Sequence, residues 1–341
     1  MTRAALDPRI AVRAWLRPDQ ADLVRQAVAL ARMRLQAVGT PARGHASALA
    51  SRLDCDPLHD LRAAIAQTRD GIFLLADPDE FGTTPAPDDA RTILAARERG
   101  VRVLTFEPLP SNALFLGPAA WLDGPPGSYP AQIVPLPRAL RTFRSAIEPL
   151  QTFTPPAVLA IQALSRPSEG SLAARLFAAM DLVRNLLGEP ETIDAACAAP
   201  SPLTSPGESL RGLTGLLTAN LRFAGGRSAS IVAGDHAGRW NFTATLLGPQ
   251  GQLTFHDDAL EWIGPQGEAL DQQRGNSRRR GKPRTVDHAI AALADALSSS
   301  TLDPPFDAPA VFCMAQAALL SARTGQPESP ATIRHMAGLK H

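Results

Sequence analysis

A chain of 341 residues is long enough for about two domains, each with its own core. Its formal net charge of +1, with 20% charged and 45% hydrophobic residues, excludes a global pull toward nucleic acid or anionic membrane and describes an ordinary globular composition. The three cysteines (Cys55, Cys197, Cys313) are widely spaced and form no CxxC, so they signal neither a disulfide framework nor a zinc site. The N-terminal MTRAALDPR has no apolar signal-peptide core, and no window reaches the ~18 apolar residues of a membrane span. The expectation is a reduced, cytoplasmic protein with no metal, membrane or nucleic-acid partner. Proline, at 31 residues, is roughly twice its usual share of about 5% and clusters between the periodic segments, where it stiffens loops.

Arg9–Val12 starts a strand, and from Asp19 the helical spacing puts Leu23, Val24, Ala27, Val28 and Leu30 on one face. Leu35–Val38 reads as a second strand, followed by helices over Ala42–Leu53 and Leu58–Ala66. Ile72–Ala76 is a continuous apolar run of the kind buried on both faces of a sheet. Helix Asp88–Arg99 and strand Val101–Phe106 complete the alternation, with Gly100 between them. Alternating strands and helices predict a parallel, doubly wound sheet, with its ligand crevice at the strand ends. Thr105-Phe106-Glu107-Pro108 lies at such an end.

Residues 109–166 are rich in proline and glycine and read as a passage between domains, with a helix near Pro137–Ile147. Ser171–Leu187 is a helix that Gly188-Glu189-Pro190 stops. Alternating segments at Leu216–Phe223, Ser228–Ala233, Trp240–Leu247, Gln252–His256 and Leu260–Ile263, separated by glycine turns, predict an antiparallel meander. A basic loop, Arg274–Arg284, precedes helices at Val286–Ser299 and Ala308–Arg323 and a short tail. The fold class is thus α/β followed by α+β, a doubly wound parallel sheet and then a mainly antiparallel sheet with helices, joined at a cleft.

Three segments carry a family likeness. ERGVRVLTFEPL (98–109) resembles the "GkhVl-EKPl" strand end of the glucose–fructose oxidoreductase/inositol dehydrogenase (Gfo/Idh/MocA) family. MDLVRNLLGEP (180–190) resembles its "HxxDLLRxLLGEP" helix, and LLSARTGQPESP (319–330) its "SAxTGqPv" close. The resemblance spans nearly the whole chain. It implies a Rossmann-type, NAD(P)-binding-like domain over 1–120, an open-faced, mainly antiparallel sheet domain with helices over 121–341 that often mediates oligomers, and hydride transfer between NAD(P) and a sugar, polyol or related alcohol.

Matched position by position, the functional residues depart from that pattern. The family's GxGxxG turn, whose glycines let backbone N–H groups reach the pyrophosphate, reads Arg13-Ala14-Trp15-Leu16-Arg17-Pro18-Asp19. Thr40 follows the second strand where a ribose-binding acid is common, with Arg43 nearby, and Asp77-Pro78 adds negative charge after the next strand. The family's EKP lysine corresponds to Glu107, and its helix Asp/His pair, one turn apart, to Ala174 and Ala178. The seven histidines lie elsewhere; His236 sits in a turn where it acts as a cap or faces the cleft.

Two readings follow. In the first the chain is a degenerate family member with weak or no NAD(P) binding, acting as a structural, regulatory or sensing subunit. Its partners are then a small sugar-like ligand and a second copy or an active paralogue, met through the C-terminal sheet. In the second it is an active NAD(P)-dependent oxidoreductase with a rebuilt site, using Glu107 or an unplaced histidine as base and Arg13, Arg17 or Arg43 for the cofactor. Arg278–Arg280 suggests a third, partner-binding role against the plainer reading of a solvated loop, and Trp240 and Trp262 are expected in core or interface packing.

Overall fold

Short apolar runs that alternate with amphipathic helices build the first half of the chain into a parallel layer. The structure, a computed structural model, describes residues 10–122, 129–153, 156–198, 208–274, 287–299 and 305–339. Strands β1 (Ala11–Trp15), β2 (Arg34–Gly39), β3 (Asp56–Leu58), β4 (Ile72–Leu75), β5 (Arg102–Thr105) and β6 (Gln132–Ile133) form one sheet, in the order β3-β2-β1-β4-β5-β6. All its pairs are parallel. Helices α1 (Ala21–Leu30), α2 (Ala46–Leu53), α3 (Leu61–Gln67) and α4 (Asp88–Glu98) connect the first five strands. Phe73, Leu74 and Leu75 of β4 are fully buried, as a strand covered on both faces requires.

After α5 (Leu136–Ala139) and α6 (Arg141–Thr152) comes the second sheet. Its strands are β7 (Val158–Leu164), β8 (Thr192–Ala198), β9 (Leu216–Arg222), β10 (Ser228–Gly234), β11 (Asn241–Gly248), β12 (Gly251–His256), β13 (Ala259–Ile263) and β14 (Ala269–Arg274). They are ordered β14-β13-β12-β11-β7-β10-β9-β8. Helix α7 (Leu172–Leu187) covers the inner face and packs on α9 (Ala308–Thr324), with Phe177 and Phe312 edge to face at 4.7 Å. That location between sheet and helix explains why α7 is apolar nearly all round. The outer face carries polar and small residues together with exposed Leu216, Val232 and Leu247. Helix α8 (His288–Ser298) crosses back to the first layer, where Ala289, Leu293 and Leu297 join Val12, Ala14 and Val24 in one core. Helix α10 (Pro330–Met336) closes the chain against α9.

The α/β plus α+β architecture is as expected, with local corrections. Residues 56–58, partly read as the start of a helix, are an edge strand, which tolerates Pro57 because it pairs on one side only. Helix α2 begins at Ala46 and not Ala42, since Gly44 at φ +77° breaks the helical path. The passage read between domains holds β7, a seven-residue strand at the centre of the second sheet, and β10 pairs with it in parallel, so the sheet is mixed and not a pure meander. Gln132–Ile133 extends the parallel sheet beyond residue 120. The basic run Arg278–Arg284 lies outside the described residues.

One buried ion pair ties α5 to α7. Arg138 Nη1 donates to both carboxylate oxygens of Asp181, at 2.9 and 3.1 Å, with the two side chains 3% and 0% exposed. Asn185 Nδ2 donates to the same carboxylate at 3.2 Å. Removing one member of such a pair strands a charge away from water. Asp181→Ala is therefore expected to lower the unfolding free energy by about 3–5 kcal/mol, read from the urea midpoint. An unchanged midpoint would show that Arg138 can do without the carboxylate.

Candidate functional site

The C-terminal ends of β1, β4 and β5 meet the start of α7 at one corner between the two layers. Chain continuity puts Leu16-Arg17, Ala76-Asp77 and Phe106-Glu107 there. The β1 strand runs on through Trp15, so Arg13 and Ala14 belong to the sheet and not to the turn. Arg13 turns to the opposite edge, where Nη1 donates to the Asp70 carbonyl at 2.9 Å, and Ala14 is buried in the core. Of the residues expected at a cofactor site, Arg13 is thus engaged at Asp70 and Ala14 is packed in the core.

The turn after β1 is closed by its own side chains. The Trp15 ring lies over Gly39 so tightly that a Cβ there would stand 2.2 Å from the ring carbons. Leu16 N–H donates to the Gly39 carbonyl at 3.0 Å, and Arg17 N–H to Gln20 Oε1 at 2.9 Å. Gln20 N–H goes to the Arg17 carbonyl, and Pro18 has no N–H to offer. The Arg17 guanidinium is divided three ways: Nε to Asp19 at 3.2 Å, Nη1 to Asp77 at 3.1 Å, and Nη2 to the Pro167 carbonyl at 2.6 Å. Thr40 is buried and accepts from Ala42 N–H at 3.3 Å, while Arg43 is exposed. Pro78 contributes a carbonyl that accepts from Phe81 N–H at 2.8 Å.

At the end of β5, Glu107 is 3% exposed and reaches across to the N-cap of α7. Its carboxylate accepts from Ser171 N–H at 2.8 Å and from the Ser171 hydroxyl. Burial pushes this carboxyl above its ordinary value; the Ser171 bonds and Arg211 pull it back, and Asp77 pushes it further up. Arg211 comes from the segment before β9 and clamps the first layer. Nη1 donates to the Asp79 carbonyl at 2.8 Å, and Nη2 to the carbonyls of Pro108 at 2.8 Å and Phe81 at 3.4 Å. Ala174 and Ala178 are buried on α7. His236 is an exposed turn residue whose Nδ1 lies 2.8 Å from Asp235, without contact to Glu107.

Sequence reasoning passed over Arg211 and Arg175. Arg175 is 2% exposed on α7, with its guanidinium carbon 4.3 Å from the centre of the Trp240 ring. A lone cation within LAARLFAAMDL was its signal; Arg211 had none. Trp240 is fixed by Asp257, which accepts from its Nε1 at 2.7 Å, and it lines a cleft of about 620 Å³ with Arg166, Glu169, Asp258 and His288. Trp262 packs edge-on against Phe153 in the sheet domain. Among the described residues no cluster of three metal-ligating side chains occurs, and no helix is long and apolar enough to cross a membrane.

With its parallel sheet ordered 3-2-1-4-5-6 and its mixed eight-stranded sheet backed by α7, the chain superimposes on several solved dehydrogenases. No family model matches the chain, and no curated protein matches it by sequence. Levoglucosan dehydrogenase in complex with NADH and L-sorbose matches at TM-score 0.65 over 94% of this chain and 98% of its own, with 15% identity. An oxidoreductase from Agrobacterium radiobacter in complex with NAD+, L-tartaric acid and magnesium gives 0.65 over 95% and 99%, with 13% identity. A myo-inositol dehydrogenase from Corynebacterium glutamicum gives 0.61 over 94% and 98%, with 15% identity. The chain has the fold of these dehydrogenases.

Against that dehydrogenase fold, the crevice can be compared with what a dinucleotide requires. A pyrophosphate needs unused N–H groups at the first turn, and those of Leu16, Arg17 and Gln20 are taken. The Arg17 charge is matched by two carboxylates, and Trp15 covers the end of β2. As arranged, these residues leave none of those three N–H groups unused for a pyrophosphate.

The Glu107 carboxyl gives a measurable signature. Because burial raises it above the ordinary 4.5, the folded chain holds this proton more tightly than the unfolded one. Stability carried by this group is therefore highest below about pH 4.5 and declines as pH rises through the folded-state value. Glu107→Gln can keep an acceptor for Ser171 N–H and is expected to abolish that decline. Urea unfolding of both proteins from about pH 4 to about pH 8 measures it; parallel curves would show that Glu107 does not titrate differently on folding.

Proposed function

We propose that this chain is a divergent relative of the glucose–fructose oxidoreductase/inositol dehydrogenase family that keeps the dehydrogenase fold and has given up the dehydrogenase reaction. It serves as a structural, regulatory or sensing subunit. The observation that carries this reading is the turn after β1, where Trp15 and the Arg17–Asp77 pair occupy the corner a dinucleotide would need. Glu107 in place of the family lysine, and Ala174 and Ala178 in place of its Asp/His pair, support it independently. Alanine has no proton to move, and a carboxylate cannot reproduce an ammonium.

The outer face of the second sheet supports assembly with a second copy or a paralogue. Leu216, Val232 and Leu247 are 46%, 38% and 41% exposed, on β9, β10 and β11. Apolar side chains presented by a broad sheet favour a partner sheet over water.

One observation favours the rival reading of an active enzyme with NAD(P). Glu107 is a buried carboxyl with a raised pKa at the strand end, as a general base would be. Its two bonds to Ser171 weigh against that role, since they hold the carboxylate away from any substrate proton.

Melting with and without millimolar NAD(H) and NADP(H) separates the two. A cofactor present far above its Kd stabilises the folded state by about 3–4 kcal/mol, so an active enzyme would show a clear rise in Tm. The expected result is no rise, together with no cofactor-dependent absorbance change across sugars and polyols. A saturable rise in Tm would overturn the reading.

A further inference from the structure

The cleft of about 620 Å³ beside Trp240 opens between the start of α8, the segment before α7, the start of β11 and the end of β12. Pockets that hold small molecules occupy about 300–1,000 Å³. None of Arg17, Asp77 and Glu107 lines it, so it is separate from the corner compared above with a dinucleotide site.

Most of its ionic lining is engaged within the chain. Arg166 donates from Nε to Glu169 at 2.9 Å and from Nη2 to Glu169 and Asp287. Asp257 accepts from Trp240 Nε1 at 2.7 Å and from Phe242 N–H at 3.0 Å. Two charged groups are left over. Arg239 and Asp258 both line the cleft and are exposed, and among the described residues neither side chain has a hydrogen bond or an ion partner. Opposite charges that face one space without pairing suit a ligand that carries both signs.

The negative end is the stronger. The lining holds four carboxylates, on Glu169, Asp257, Asp258 and Asp287, against the guanidiniums of Arg166 and Arg239. Burial pushes the Asp257 carboxyl above its ordinary value; Phe242 N–H, Trp240 and His288 pull it back, and the neighbouring Asp258 charge adds to the push. A cation beside Asp257 and Asp258 relieves that repulsion, whereas an anion adds to it. Trp240, held in place by Asp257, supplies an apolar wall.

We propose that this cleft binds the zwitterion of a small α-amino acid, with its ammonium toward Asp258 and Asp257, its carboxylate toward Arg239 and its apolar side chain on Trp240. An ammonium brings three donors to carboxylate oxygens, and the guanidinium fork matches a carboxylate. The site deepens the sensing role proposed above, and its test is run without dinucleotide. A cofactor-induced rise in Tm would therefore overturn that reading while leaving this one standing.

The full-length protein is titrated with L-leucine, L-leucinol, isocaproate, L-glutamate and myo-inositol, following Tm and tryptophan fluorescence. Leucine is expected to raise Tm saturably, with a fluorescence change. Leucinol keeps the ammonium and lacks the carboxylate, and is expected to bind about ten-fold more weakly. Isocaproate has only the anion, and glutamate adds a second one; neither they nor inositol are expected to act at the same concentration. Arg239 and Asp258 are exposed, so their variants should melt close to the wild-type temperature without ligand. Arg239→Gln is expected to weaken leucine about ten-fold and to leave leucinol unchanged, while Asp258→Asn weakens both about ten-fold. A purely structural role for either residue would produce no such split. No saturable shift with leucine, leucinol binding as well as leucine, an equal shift with glutamate or inositol, or an Arg239→Gln that weakens both amines alike would each overturn the assignment. A variant that fails to fold leaves the ligand series on the wild-type protein to decide.

Discussion

A carboxylate at the strand end of one layer caps the first turn of the other layer's main helix. Glu107 takes the Ser171 N–H and hydroxyl, and so satisfies a donor that the start of α7 would otherwise leave unpaired. The positive end of the helix dipole stabilises the charge it receives. Desolvation opposes this, and the contest between the two is why the carboxyl is raised and not depressed. Arg211 fixes the same corner from the second layer by gripping three carbonyls of the first. Together these contacts set where the end of β5 stands relative to α7, and the shape of the crevice follows from that.

The corner is organised around internal ion partners. In a nucleotide-binding Rossmann layer, the first helix turn is an open positive pole waiting for phosphate. Here the N–H groups of Leu16, Arg17 and Gln20 are bonded within the chain. Gln20 holds Arg17 N–H and the Ala76 carbonyl, and Arg17 spans to Asp77 and, across the layers, to the Pro167 carbonyl. Each bond removes a reason for an anion to bind and adds a reason for the layers to stay together. Arg102 does something similar at the far end of the sheet, where its guanidinium donates to the carbonyls of Ala296, Leu297 and Ser299 and caps α8. Arginine to carbonyl is the recurring joint between the two halves.

Most of the fold was legible because strand and helix periods are local properties of the sequence. The runs at 72–75 and 102–105, the stop at Gly188 and the alternation from 216 to 263 needed no tertiary information. β7 was passed over although Val158–Leu164 alternates cleanly between buried and exposed positions, because the prolines around it dominated the local reading. β3 was missed since a three-residue edge strand containing Pro57 carries almost no periodic signal. At the site, one-dimensional matching singled out Glu107, Ala174 and Ala178, and it counted with the turn Arg13 and Ala14, which lie within β1. Where Arg13 points depends on Asp70, and what Arg211 holds depends on three carbonyls far away in sequence. Such long-range pairings have no local signature.

The buried arginines then divide by how well they are bonded. Arg138 faces a carboxylate with both oxygens in reach, and Arg211 spends its terminal nitrogens on three carbonyls. Arg175 has one long bond and a ring face. A cation–π contact of this sort contributes about 2 kcal/mol when desolvated, while each unmet buried donor costs about 1–3 kcal/mol. The buried Nε of Arg175 is one such donor, so the ring contact and the unmet donor come close to offsetting each other. Arg211 leaves the same nitrogen unmet, so what sets Arg175 apart is that its guanidinium packs on the face of Trp240 where Arg211 grips carbonyl oxygens.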